Sequence, residues 1–186
     1  MTEQPKVSII TPSYNQARFL EQTMRSVLEQ DYPNLEYIVI DGGSKDGSRE
    51  IIQKYADRLA YWQSQKDKGQ TDAINQGFAR ATGEILAWLN SDDVFYPGAV
   101  SAAVRQLQRH PEVGMVYGNC HWINAEGKVI GDFPAAQTDL KKLRRGYVHI
   151  PQQTAFFRAE LWRKVAPLDD SFYFAMDYDL WTRLAA

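Results

Sequence analysis

Short apolar runs alternate with helically spaced apolar stripes through the first 110 residues. Val7-Ser8-Ile9-Ile10-Thr11 reads as a strand that Pro12 should end. Phe19, Leu20, Met24, Val27 and Leu28 then share one helical stripe, which stops at the turn signal Asp31-Tyr32-Pro33-Asn34. Tyr37-Ile38-Val39-Ile40 is apolar at every position, the pattern of a strand covered on both faces, as in a parallel sheet flanked by helices. The unit recurs. Asp46-Gly47-Ser48 offers capping groups ahead of a helix through Ile51, Ile52, Tyr55 and Ala56. Leu59 to Trp62 suggests a short third strand, and Ala73 to Ala81 a helix closed by Gly83. Ile85 to Leu89 is another buried strand, and Pro97-Gly98 should open a helix through Val100, Val104 and Leu107. Strand and helix in alternation predict an α/β fold with a mostly parallel sheet and right-handed crossovers.

Beyond residue 112 the pattern changes to a smaller, mixed region. Met115 to Gly118 reads as a strand, Asn124 to Gly127 as a hairpin turn, Thr154 to Phe157 as a strand and Glu160 to Val165 as a short helix. Leu180, Trp181 and Leu184 are helically spaced with no cap before Ala186, which suggests a truncated chain. No linker is visible. A single domain is expected, with a ligand-binding part over 1–112 and a second part over 113–186.

Composition narrows the class. A chain of 186 residues that is 44% hydrophobic, with five tryptophans and ten tyrosines, can build its own core and is not disordered. With 21 basic against 23 acidic residues the net charge is -2, which argues against a broad grip on nucleic acid. Cys120 is the sole cysteine, so an intrachain disulfide is impossible and a thiolate zinc site is disfavoured. No secretory signal is visible at the start and no apolar run is long enough to span a membrane; a cytoplasmic location is expected.

In an open parallel sheet, ligands sit beyond the carboxyl ends of the strands. Three such ends carry polar groups: Thr11-Pro12-Ser13-Tyr14-Asn15, Asp41-Gly42-Gly43-Ser44 and Asn90-Ser91-Asp92-Asp93. Asp41 suits a hydrogen bond to a nucleobase or ribose, and equally a turn in which it bonds its own backbone. Asp92 and Asp93 repel each other unless a cation or a helix cap compensates, and Mg²⁺ or Mn²⁺ with substrate phosphates would do so. In an extended segment Asn90 and Asp92 would face one side and Asp93 the other. Asp177 and Asp179 suit the first turn of a helix, where acids favour the dipole. One of them is free to be a general base, given an apolar setting from Phe172, Tyr173, Phe174 and Tyr178. The three histidines lack metal-ligand spacing, and Ser44, Ser48 and Cys120 lack a nucleophile's partner. The cluster Lys141, Lys142, Arg144, Arg145 is either a solvated face or a contact for phosphates or an anionic membrane surface.

From Val7 to Leu184 these segments resemble the family 2 glycosyltransferases, which have the GT-A fold. The resemblance lies in Val7 to Asn15, Ile38 to Ser48, Asp67-Lys68-Gly69-Gln70-Thr71-Asp72-Ala73-Ile74-Asn75-Gln76-Gly77, Ala81 to Glu84 and Asn90-Ser91-Asp92, in that order. It implies that Thr11, Pro12, Tyr14 and Asn15 line a nucleotide pocket and that Asp41 bonds the base, commonly uracil. Lys68, Asp72, Asn75, Asn90 and Ser91 would lie along the donor, and Asp92 would hold Mg²⁺ or Mn²⁺. Asp177 would be the catalytic base, and Pro151-Gln152-Gln153-Thr154 would face the acceptor. The implied reaction is inverting, metal-dependent transfer from a nucleotide-diphosphate sugar to a saccharide or lipid-linked hydroxyl. The implied setting is polysaccharide synthesis; with the basic cluster at Lys141 to Arg145, a cytoplasmic location with peripheral contact at the inner membrane face is expected.

The chain departs from the family at three places: Gly42 stands where an acid follows Asp41, Asn90 replaces the first acid of the metal motif, and Met176 replaces a glutamate. Two rivals remain. A sugar-1-phosphate nucleotidyltransferase would need a glycine-rich basic opening loop, where Thr11 to Asn15 stands instead. A nucleotide-sugar binding module without turnover would need only the donor half.

Overall fold

The computed structural model describes residues 4–147, 149–172 and 174–186. Four parallel strands form its centre: β1 (Val7–Ser13), β2 (Leu35–Asp41), β3 (Tyr61–Ser64) and β4 (Ile85–Trp88). Two short strands from the second half, β5 (Met115–Val116) and β8 (Phe156–Arg158), complete the same sheet in the order β3-β2-β1-β4-β8-β5. Strand β8 is antiparallel to both neighbours. The remaining strands, β6 (Cys120–Ile123) and β7 (Val129–Phe133), make a separate hairpin closed by the expected turn.

Side chains alternate across the sheet, so each strand feeds two cores. On one face Ile10, Ile38, Ile40, Leu86, Trp88 and Phe157 pack under α3 (Gln70–Phe78), α6 (Ala159–Val165) and α7 (Met176–Leu184). On the other, Val7, Ile9, Tyr37, Val39, Ala87 and Phe156 pack under α1 (Ala17–Leu28), α2 (Ser48–Lys54) and α4 (Ala99–Arg109). This double covering is why the strands read as continuous apolar runs rather than alternating ones. Gly77 lets α3 settle directly on β1, since a Cβ there would fall 2.5 Å from Ile10 Cγ2. No helix among the described residues is long and apolar enough to cross a membrane.

Three expectations need correction. Strand β1 does not stop at Pro12 but continues to Ser13. The Ile10 carbonyl accepts from Leu89, and the Ser13 carbonyl accepts from Gly42. By alternation the proline nitrogen therefore points to the β4 side, where β4 has already ended, and no ladder bond is lost. Helix α4 begins at Ala99 behind a left-handed Gly98 and has no side-chain cap, so neither Pro97 nor the Asp92-Asp93 pair starts it. Gln152–Thr154 is a 3₁₀ turn and β8 begins after it.

Candidate active site

The carboxyl ends of β1, β2, β3 and β4 carry one hydrogen-bonded chain of loops. Asp41 is fully buried, and its Oδ2 accepts from Gly43 N (3.2 Å), Ser44 N (2.9 Å) and Ser64 Oγ (2.6 Å). Its Oδ1 accepts from Ser44 Oγ. The turn reading of Asp41 therefore describes its geometry: it fixes the loop between β2 and α2. Ser44 passes the order on by accepting from Asn15 N (2.8 Å). Asn15 sits at φ +52° and accepts from Lys45 N (3.0 Å). Thr11 and Pro12 are buried, Thr11 against the Tyr37 hydroxyl (2.9 Å), while Tyr14 is 64% exposed. Tyr14 and Asn15 thus face solvent at this edge, and Thr11, Pro12 and Asp41 lie beneath it.

Gly42 leaves room for another carboxylate. A Cβ at Gly42 would fall 2.9 Å from Asp67 Oδ2, so Asp67 occupies the space beside the missing side chain. Burial raises the Asp67 carboxyl above its ordinary value; the Gly69 amide opposes this, and the charges of Asp72 and Asp41 add to it. Asp67 opens the segment Asp67 to Gly77, and nothing in its own sequence neighbours marks it. The signal was the vacancy at Gly42. Lys68 is exposed, and its backbone N–H donates to Asp72 Oδ2 (3.1 Å), which also accepts from Gln76 Nε2 (2.9 Å). Asn75 exchanges two 2.9 Å hydrogen bonds with the Leu168 backbone, tying α3 to the segment before α7.

The chain continues to β4. Gln70 Nε2 donates to Asn90 Oδ1 (2.8 Å), and Asn90 Nδ2 donates to Gln152 Oε1 (3.1 Å). Gln152 Nε2 in turn donates to the Trp88 carbonyl (2.9 Å). Gln152, in the expected acceptor-side segment, is thereby held at the end of β4. Residues 90–93 turn rather than extend, with Asp93 N donating to Asn90 O (3.1 Å). The alternation expected of an extended segment fails for that reason, and the Asn90 amide also hydrogen-bonds Asp93. Ser91 is buried, Asp92 is exposed and Asp93 turns inward.

Asp93 lines a cavity of about 380 Å³ between α4, the 3₁₀ turn and the β6–β7 hairpin. Burial and the charge of Asp92 push its carboxyl up to about 6, against the Asn90 hydrogen bond. A second cavity of about 300 Å³ lies beside α7. Neither is walled by Asp41, Asp92 or Asp177: Asp41 ends β2 and Asp92 follows β4 at the carboxyl edge of the sheet, and Asp177 lies in the first turn of α7. A raised folded pKa means that stability is full below the unfolded value and falls as pH rises through about 6. Asp93→Asn should therefore stabilise the metal-free protein at pH 7 by on the order of 1–3 kcal/mol and have no such effect near pH 4. Urea midpoints at the two pH values check this, and an equal effect at both would contradict it.

Helix α7 separates the two acids of the last motif. Asp179 pairs with Arg183 one turn on (2.7 Å). Asp177 forms no ion pair among the described residues; its Oδ1 accepts from Tyr178 N (2.8 Å), and burial raises its carboxyl above the ordinary value. Four residues later, Trp181 stacks on Trp88 of β4, ring centroids 5.6 Å apart. That stack brings the helix bearing Asp177 onto the strand that leads to Asp92. Phe172 and Phe174 are exposed, so they do not enclose Asp177, and Tyr173 lies outside the described residues.

The described residues hold no cluster of three His, Cys, Asp or Glu side chains able to chelate a metal alone. An exposed carboxylate at a strand end, next to a second acid that its charge perturbs, fits a hard cation shared with substrate phosphates.

The mostly parallel sheet with its antiparallel β8, flanked by helices on both faces, is the GT-A architecture of glycosyltransferases. Residues 8–167 match the profile of Glycosyl transferase family 2, and the chain belongs to that family. An uncharacterised glycosyltransferase of Mycobacterium tuberculosis is 37% identical over 188 residues, covering 100% of this chain and 71% of the relative. Another, from Nostoc, is 33% identical over 178 residues, covering 88% of this chain and 54% of that protein. Among solved structures, a mannosyltransferase of Pyrobaculum calidifontis in complex with GDP-Man and Mn²⁺ superposes with a TM-score of 0.74 at 25% identity. That match covers 99% of this chain and 53% of the neighbour. S. aureus TarS 1-349 in complex with UDP superposes with a TM-score of 0.79 at 19% identity, covering 97% and 55%. The chain thus spans about half the length of these solved neighbours.

Proposed function

We propose that this chain binds a nucleotide-diphosphate sugar, uridine-linked, at the carboxyl edge of the parallel sheet. It then transfers the sugar with inversion to a hydroxyl of a saccharide or lipid-linked acceptor. The observation that carries this reading is the Trp88–Trp181 stack, which couples the helix bearing the half-buried Asp177 to β4, the strand that leads to Asn90-Ser91-Asp92. The likeness to a mannosyltransferase bound to GDP-Man and Mn²⁺ supports a sugar nucleotide and a divalent ion as ligand classes. Residues 1–112 form the donor part and 113–186 bring the base and the acceptor side.

In this mechanism the acceptor oxygen attacks the anomeric carbon as the bond to the diphosphate breaks. Asp177 takes the hydroxyl proton, and the nucleoside diphosphate leaves with the bonding pair. One in-line displacement inverts the centre and needs a base but no enzyme nucleophile. A raised carboxyl pKa makes Asp177 a better proton acceptor near neutrality. Asp92 would hold Mg²⁺ or Mn²⁺, which when bound offsets negative charge on the leaving diphosphate. Tyr14 and Asn15 present the exposed groups of the nucleotide loop, and Lys68 offers a cation beside it. Asp41, Asp72 and Asn75 act as positioning residues whose bonds hold the loops in place.

Melting curves test the donor class. At a hundredfold excess over Kd, bound ligand adds about 2.7 kcal/mol, so UDP with Mn²⁺ should raise Tm by roughly 5–10 °C. A shift with GDP in place of UDP would reassign the base. A response confined to nucleoside triphosphates would favour a nucleotidyltransferase.

A further inference from the structure

We propose that residues 139–147 form a docking surface for an anionic lipid bilayer. Lys141, Lys142, Arg144 and Arg145 are all exposed, and none forms an ion pair among the described residues. Four cations within five residues stand against a net charge of -2 for the whole chain, so the patch is a local inversion of its field. The cations sit on a built support. Helix α5 (Leu140–Leu143) is capped by Asp139, whose Oδ1 accepts from Lys142 N (2.8 Å). At the other end Gly146, at φ +79°, donates to Leu143 O (2.8 Å), and Tyr147 N donates to Lys142 O (3.1 Å), a reversal that brings Tyr147 back beside the cations. Lys142 Nζ donates to Gln137 O (2.8 Å), and the residue remains exposed. Tyr147 is 57% exposed.

Clustered cations draw a segment to an anionic leaflet, and an exposed tyrosine suits the headgroup layer. The surface is joined to the site. Leu143 is fully buried, and the hydroxyl of Tyr178, the residue after Asp177, donates to its carbonyl. A bilayer on these cations would therefore lie against the element that holds the start of α7. The docking stands on charge and geometry alone; only its use, presenting a lipid-linked acceptor to Asp177, rests on the transferase reading.

The test is sedimentation of the full chain with vesicles of phosphatidylcholine alone, or of phosphatidylcholine and phosphatidylglycerol in equal parts. Binding should require phosphatidylglycerol and weaken with added salt. Each basic residue at the surface contributes about fivefold in partitioning, so Arg144→Gln with Arg145→Gln should lower binding roughly 25-fold. Tyr147→Ser should weaken it further, and the exposed pair Arg163→Gln with Lys164→Gln should leave it within about twofold of the parent chain. Retention of the UDP–Mn²⁺ melting shift in the Arg144/Arg145 variant shows that it folds and separates this test from that of the donor site. The proposal is overturned by equal binding to both vesicles, by equal losses in the two double variants, or by no binding. It is also overturned if inorganic pyrophosphate binds through Arg144 and Arg145 while vesicles do not.

Discussion

Asp177→Asn lowers release of nucleoside diphosphate from the donor by about 10²–10⁴-fold, the usual range for losing a general base. Affinity for the Mn²⁺–nucleotide complex stays within about twofold, because the amide keeps the size and place of the carboxyl and the role is confined to the transition state. The pH profile supplies the sign. The base works only when ionised, and burial holds its pKa above the ordinary carboxylate range. Turnover in the parent chain therefore falls as pH drops through that raised value, and the Asn variant lacks this limb. Equal losses of turnover and nucleotide affinity would show that Asp177 binds donor instead. A comparable loss in Asp179→Asn would point to disruption of the helix, since Asp179 serves the ion pair with Arg183.

Asp92→Ala has the second large effect, on binding itself. Asp92 is the exposed acid of its pair, whereas Asp93 faces the cavity beside α4. Removing Asp92 should weaken Mn²⁺-dependent nucleotide binding by about 10–100-fold, while the weaker metal-free binding is unchanged or tightened as one charge near the diphosphate is removed. Calorimetric titrations with and without Mn²⁺ measure both. Unchanged metal-dependent binding would sink the assignment. If Asp93→Asn alone abolished it, the roles of the two acids would be exchanged.

The fold was legible because its physics is local. Continuous apolar strands and amphipathic helices encode a two-sided parallel sheet, and each strand from β1 to β4 appears near its expected place. The misses arose from longer-range geometry. Pro12 remains in β1 because β4 is shorter than β1, which no local rule reveals. Asp93 and Asn90 meet because residues 90–93 turn. At the site, residue types were easier to read than their tasks. The carboxylate of Asp41 is engaged by the amides of Gly43 and Ser44 and the hydroxyls of Ser44 and Ser64, and the amide of Asn75 by the Leu168 backbone. Asp67 is visible only through the space that Gly42 leaves, and the ion pair that sets Asp179 apart from Asp177 only through Arg183.

A crystal structure of the chain with UDP and Mn²⁺ bears most directly on the central claim. The account predicts the ion between Asp92 and the diphosphate, with the nucleoside along Tyr14, Asn15 and the loop after Asp41. A nucleotide seated instead in the 380 Å³ cavity lined by Asp93, Tyr96 and His121, with Asp92 untouched, would contradict it.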